Sequence, residues 1–543
     1  MHSTIILYIS LIVAILFLVM LAQRIKVSYP IVLVLGGLAL SFVPGLPTVA
    51  INPELIFLIF LPPLLYEAAW QTSWKDFWKW RRVIGSFAFG IVIFTSCVIA
   101  YVSNSIIPGF TLPLGFLLGG IISPPDAVAA TSILKDIKVT KRLITIVEGE
   151  SLLNDASSLI VFRFALTAIV SGTFVFADAV SSFFVVIIMG FATGMIIALV
   201  FYAIHRWLPT TPSMDTILTF VAPYTMYITA EEFHFSGVIA VVTGGLFLSK
   251  NSHSILSHLS RIQGVNVWDT IGFVLNGIVF MLIGLELPVI VNGLGDTSLY
   301  AAIKYGMIIS VVVIITRLVS ALGASVFTVL ISNVIKTADS RPGFRMPIIF
   351  GWTGMRGVVS LASALSIPLL INGGQSFPQR NMILFITFVV ILVTLVFQGL
   401  TLPLVIKWMN VNELDYAVSS QEQDMMIRRK LAEESLNMIN EKYAEEIPKN
   451  ELLQSLKYKL ESDLGFLNHV RESDPLHSGH EYVEKYQLIT KELLERKRTL
   501  LHKFNKKEAF EEEVIKQHLA QLDLEEEKIR QQFLHMDRSL PEY

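Results

Sequence analysis

The 543-residue sequence holds one cysteine, Cys97, so no disulfide can form within the chain. That residue stands in an apolar run, which reads as a small buried thiol and gives no information on redox chemistry. Charge is scarce as well: Asp, Glu, Lys and Arg make up 16% of the chain, against 53% hydrophobic residues and 35 Phe. So low a polar content excludes a soluble domain of ordinary make-up and points to a lipid bilayer. Three enzyme signatures are also missing: the phosphate loop GxxxxGK[ST], the nucleophile elbow GxSxG and the zinc helix HExxH. Neither an enzyme nor a resident cofactor is expected, and nothing points to nucleic acid. His253 and His258 fall in one polar loop and Glu231, Glu232 and His234 in another, where solvated side chains account for them better than a metal.

The scarcity of charge is uneven. Residues 1–410 contain 22 Lys/Arg and 16 Asp/Glu, whereas residues 411–543 contain 20 and 28. The net charge of −2 therefore averages two solvents. Residues 1–410 read as a transmembrane domain and 411–543 as a cytoplasmic tail. Helical spacing such as Leu431, Leu436 and Ile439 makes that tail helical. It is either a solvated appendage or a regulatory or dimer-stabilising module.

A bilayer core of about 30 Å needs roughly 20 apolar residues per helix. On that rule thirteen segments are expected, near 3–22, 29–43, 54–70, 83–104, 112–134, 143–171, 178–204, 216–230, 237–248, 265–291, 299–334, 346–371 and 381–409. The opening run lacks a basic start and a cleavage site, so it counts as the first span rather than a signal peptide. Sixteen Lys/Arg fall in the odd-numbered loops, including Lys135, Lys138, Lys336 and Arg341, and only Arg380 in the even-numbered ones. The positive-inside rule then places the N-terminus outside and the C-terminus in the cytoplasm; the plasma (inner) membrane is the expected location.

Ionisable groups at bilayer depth mark a substrate or proton path. In SPPDAVA, Pro124 and Pro125 remove backbone donors and break the helix just before Asp126. Loose carbonyls beside a carboxylate suit a hard cation, and Asp126 can also cap the second half-helix. In EGESLLND, Glu150 and Asn154 share one helical face while Ser151 and Asp155 form a second pair beside them. Asp155 lies about 18 Å beyond Leu143, near the midplane. In GWTGMRG, three glycines surround Arg356, whose charge needs an anion; Glu150 is the expected partner, leaving Asp155 free to titrate. Two broken helices seven segments apart fit two inverted six-helix repeats with crossing breaks. Glu67, after Pro62 and Pro63, either joins the site or caps a helix end.

Taken together, ESLLND at 150–155, SPPDAVA at 123–129 and GMRGVVSLA at 354–362 resemble the first family of monovalent cation/proton antiporters, the NhaP and sodium/proton exchanger type. The resemblance covers roughly residues 5–410 and departs from the pattern at Pro125. It implies an NhaA-like all-α fold, a homodimer, and alternating access of a core bundle against a dimerisation domain. It further implies that Asp155, with Asn154 beside it, binds cation or proton. Ser151 and Asp126 would complete a Na⁺ site, Glu67 would contribute, and Glu150 would pair with Arg356.

If Asp155 holds either passenger but not both, exchange is obligatory. One titrating carboxylate in the Asn-Asp pair favours electroneutral one-for-one exchange of Na⁺ or Li⁺ for H⁺. A K⁺/H⁺ antiporter and a membrane sensor acting through its tail are the competing expectations.

Overall fold

Apolar segments in a bilayer must satisfy their own backbone groups, and helix is the simplest way to do so. The computed structural model describes residues 2–43, 53–134, 137, 139–172, 176–294, 298–331, 343–371, 375–410, 420–472, 479–504 and 512–537. Lys135, Lys138, Lys336 and Arg341 lie outside them.

Among the described residues, the regular structure is helical apart from one short hairpin. Its first half holds α1 (His2–Ile25), α2 (Tyr29–Ser41), α3 (Pro53–Gln71), α4 (Trp74–Gly85), α5 (Val92–Ile106), α6 (Leu112–Ile122), α7 (Ala127–Leu134), α8 (Lys141–Ser171) and α9 (Phe176–Trp207). There follow α10 (Pro212–Glu232), α11 (Gly237–Ile255), α12 (His258–Leu285), α13 (Leu287–Gly293), α14 (Leu299–Ile331), α15 (Arg345–Trp352), α16 (Val358–Leu365), α17 (Arg380–Val393) and α18 (Gly399–Met409). π-helical turns join α4 to α5 at Ser86–Ile91 and α17 to α18 at Thr394–Gln398.

Among the described residues, seven helical runs are long and apolar enough to cross a membrane: Trp74–Ile106, Leu112–Leu134, Lys141–Ser171, Ala179–Trp207, His258–Gly293, Leu299–Leu330 and Arg380–Met409. Two expected segments are broken pairs. Helix α6 stops at Ile122 before Pro124, and α15 stops at Trp352 before the glycines. The segment expected to run to residue 371 leaves helix at Leu365 and ends in a hairpin of β1 (Leu370–Ile371) with β2 (Gln375–Ser376). Arg380 Nε and Nη2 bond the carbonyls of Ile367 and Leu365, which closes the end of α16.

Three loop placements are corrected. Glu231 and Glu232 end α10, and His253 and His258 lie within α11 and at the start of α12. Glu231 is engaged by Arg163 and by the Gly237 N–H, and no group of three His, Cys, Asp or Glu able to hold a metal occurs among the described residues. Cys97 is exposed on α5, because the apolar run that holds it turns one face outward.

Helix α8 sits at the centre, against α4, α5, α6, α7, α3, α11, α15 and α16. It starts where the Thr140 hydroxyl accepts the Leu143 N–H, and stops where Gly172 takes φ 71°. The Ser157 hydroxyl donates to Ala88 O, in the first π-helical turn. Glu150, Asn154, Asp155, Ser157 and Ser158 are all buried along it.

A separate unit, 416–543, contains α19 (Ser420–Lys442), α20 (Glu451–Glu472), α21 (Gly479–Phe504) and α22 (Glu512–Asp537), with α19 against α20 and α21 against α22. Arg498 on α21 joins Asp523 at 2.6 Å and Glu526 at 2.5 Å on α22. Those two hydrogen bonds push the guanidinium pKa up from its ordinary value.

Candidate cation site

Two unwound stretches meet beside α8. Residues 123–126 link α6 to α7, and residues 353–357 link α15 to α16. The Asp126 N–H donates to Met355 O at 2.7 Å, joining one break to the other. Contact at Gly357 is closer still: a Cβ there would lie 1.8 Å from Asp126 Oδ2. Only glycine lets the carboxylate occupy this crossing. Asp126 Oδ1 accepts the Val128 N–H at 2.8 Å, so the residue caps α7 while facing the second break.

Helix α8 supports the crossing from below. Ser151 Oγ accepts the Ala127 N–H at 3.3 Å, and Asn154 Nδ2 donates to Pro125 O at 2.8 Å. A carbonyl can only accept, so this bond fixes which way the Asn154 amide points. Asn154 Oδ1 is left buried with no hydrogen-bond partner among the described residues. Such an acceptor costs about 1–3 kcal/mol unless a cation or water fills the place. Asp155, 7% exposed, lies within electrostatic reach of Asp126. Asp126, Ser151 and Asn154 are thus bonded to backbone at or beside the two breaks, and Asp155 follows Asn154 on the same buried stretch of α8.

The expected pairing of Glu150 with Arg356 is corrected. Arg317 on α14 binds Glu150 with both ends of its fork, Nη1 to Oε1 and Nη2 to Oε2, each at 2.8 Å. A Cβ on Gly354 would lie 2.2 Å from Arg317 Cδ, so the glycine beside Arg356 makes room for the other arginine. Arg356 is fully buried within electrostatic reach of Glu150, but its three guanidinium nitrogens have no hydrogen-bond partner among the described residues. Its backbone N–H is held by Thr394 Oγ1 at 3.0 Å. Arg317 escaped the sequence reading because it sits in the unbroken apolar run IITRLVS; a lone cation there was itself the available signal.

Glu67 is half-buried on α3 and presses on α12, where a Cβ on Gly272 would meet its Oε2 at 1.9 Å. Gln71 Nε2 donates to Glu67 Oε1 at 3.4 Å and to Asp269 Oδ1 at 3.2 Å. Tyr29, which opens α2, lies within electrostatic reach of both Asp126 and Glu67. Tyr29 stands at the end of an apolar segment, where the sequence gave no hint that it would lie near both acids.

The sodium/hydrogen exchanger transmembrane family matches residues 10–408. This chain belongs to that family. The exchanger is 30% identical to an uncharacterised Na⁺/H⁺ exchanger of Mycobacterium bovis over 436 residues, 79% of each chain. It is 33% identical to the low-affinity Na⁺/H⁺ antiporter of Synechocystis over 418 residues, 75% of each chain. A sodium, potassium, lithium and rubidium/H⁺ antiporter of Bacillus pumilus is 32% identical over 418 residues, 75% of this chain and 61% of that one. The exchanger's fold resembles the sodium/proton antiporter MjNhaP1 of Methanocaldococcus jannaschii, with a TM-score of 0.58 at 18% identity over 76% of this chain and 99% of the other. It is a multi-pass membrane antiporter exchanging monovalent cations and protons.

Proposed function

We propose that the protein exchanges Na⁺ or Li⁺ for H⁺ one-for-one across the plasma membrane, with Asp155 as the group that holds either passenger. The observation that carries this reading is the crossing itself, where buried Asp155 stands within electrostatic reach of Asp126 and follows Asn154, whose Oδ1 has no hydrogen-bond partner among the described residues. Arg317 occupies Glu150, so that buried pair leaves Asp155 outside it. Asp126 and Ser151 supply further oxygens to the cation, and Glu67 acts from the far side of Tyr29.

Cation and proton compete for one carboxylate, so neither direction of movement proceeds empty. Asn154 in place of a second acid keeps the cycle electroneutral. The full architecture in this proposal has thirteen crossings in two inverted repeats, the N-terminus outside, the C-terminal unit in the cytoplasm, and a homodimer in which one bundle moves against a fixed one. Proton flux in vesicles driven by Na⁺, Li⁺ and K⁺ gradients tests the reading. Asp155→Asn is expected to abolish flux while the protein still elutes as a folded species, and retained coupled flux would overturn the role of Asp155.

A broader cation range is the second reading, favoured by the sodium, potassium, lithium and rubidium/H⁺ antiporter relative. The K⁺ arm of the same assay decides it.

A further inference from the structure

Helix α4, WKDFWKWRRVIG, opens a run from Trp74 to Ile106 of 33 residues. At 1.5 Å per residue that run is about 50 Å long, well beyond the roughly 30 Å hydrocarbon core. Its basic end therefore reaches into the headgroup layer. Phe77, Trp80 and Ile84 are buried, and Ile84 presses on Gly149 of α8, where a Cβ would meet Ile84 Cδ1 at 2.5 Å. The opposite face carries exposed Lys75, Trp78, Lys79, Arg81 and Arg82.

Four of the side chains at this end form one stack. The Arg81 guanidinium lies 4.5 Å from the Trp78 ring, Trp78 stacks on Trp74 with centroids 5.6 Å apart, and Lys250 Nζ lies 5.1 Å from the Trp74 ring. A cation thus covers each end of a double indole, and the stack joins α4 to the last turns of α11. Trp78 is 53% exposed, and both cations are exposed. Apolar rings flanked by two like charges at the depth of the lipid phosphates have an obvious complement, a ligand with an anionic head and an acyl body.

We propose that the Arg81–Trp78–Trp74–Lys250 stack is a binding site for an anionic phospholipid. Its anionic head lies over the indole pair within the field of both cations, and its acyl chains follow Trp78 into the bilayer. A headgroup held there ties α4, and through Ile84 the ion-binding helix α8, to α11.

The test uses the purified full-length protein in detergent, with dioleoylphosphatidylglycerol or dioleoylphosphatidylcholine added, and reads lipid retention by native mass spectrometry alongside the thermal shift. The anionic lipid should be retained in clear preference to the zwitterionic one, and the preference should fall as NaCl rises. A headgroup contact changes affinity roughly fivefold per cation, so Arg81→Gln with Lys250→Gln should lower it about 25-fold, whereas Arg81→Lys with Lys250→Arg should keep it. Equal retention of the two lipids, or an unchanged preference in the Gln variant, overturns the proposal. Full competition by soluble glycerol phosphate at the lipid's own concentration overturns the acyl part of it. Asp155→Asn should bind the lipid as the parent does, so loss of exchange and loss of the lipid site are read separately.

Discussion

Arg317→Met and Arg356→Met remove the same charge from neighbouring buried places, yet they should have opposite consequences. In the parent, Glu150 is 1% and Arg317 3% exposed at the side chain, and two 2.8 Å bonds join them. Removing one partner of such a pair strands a charge and costs about 3–5 kcal/mol. Counting the two charge-assisted bonds at about 1.5–3 kcal/mol each gives a similar size. Arg356 lies close enough to Glu150 to supply some compensation, which places the expected loss for Arg317→Met near 3 kcal/mol. That is about two powers of ten in the folded-to-unfolded ratio.

Arg356→Met instead removes a charge that repels Arg317 and three donor nitrogens with no partner among the described residues, so stability should hold or rise. Fluorescence-detected size exclusion after graded heating ranks the variants directly. Glu150→Gln added to Arg317→Met should recover much of the loss, because the stranded carboxylate is gone. If the two single variants melt together, or Arg356→Met melts first, the assignment of Arg317 as the partner of Glu150 is wrong.

Gly357→Ala should displace Asp126, since its Cβ would fall 1.8 Å from Oδ2. Exchange should drop at least tenfold while Gly323→Ala, at an open position on α14, leaves it unchanged; normal flux in the first would refute the crossing geometry. Tyr29→Phe deletes a hydroxyl within electrostatic reach of Asp126 and Glu67, so the half-saturating Na⁺ concentration should change by about fivefold with little change in maximal rate, the size of roughly 1 kcal/mol. Removing residues 416–543 should leave exchange in vesicles intact, because every group at the crossing lies in the first unit; complete loss in a folded truncation would favour the sensor reading.

Much of the helix crossing was legible because its signals are local. Pro124 and Pro125 remove two backbone donors where α6 ends; Pro62 and Pro63 do the same inside α3 without ending it, so the break also relies on Met355 O, which takes the Asp126 N–H. Carboxylates at 126 and 155 stand out against apolar neighbours for the same reason: burial without a task is costly. Tyr29 gave no such sign, because a tyrosine at the end of an apolar segment is ordinary at a membrane interface. Its nearness to Asp126 and Glu67 follows from where α2 packs.

Sequence alone thus determined the solvent, the helices, the two breaks and the acids beside them, all of which depend on covalent geometry and local hydrophobicity. Only the tertiary structure decided who meets whom. Glu150 finds Arg317 across 167 residues of chain, and Arg356, 39 residues further on, is left beside the pair. Charges attract without regard to sequence distance, so the choice between two buried guanidinium groups rests on which helix face is turned inward and on the room that Gly354 leaves.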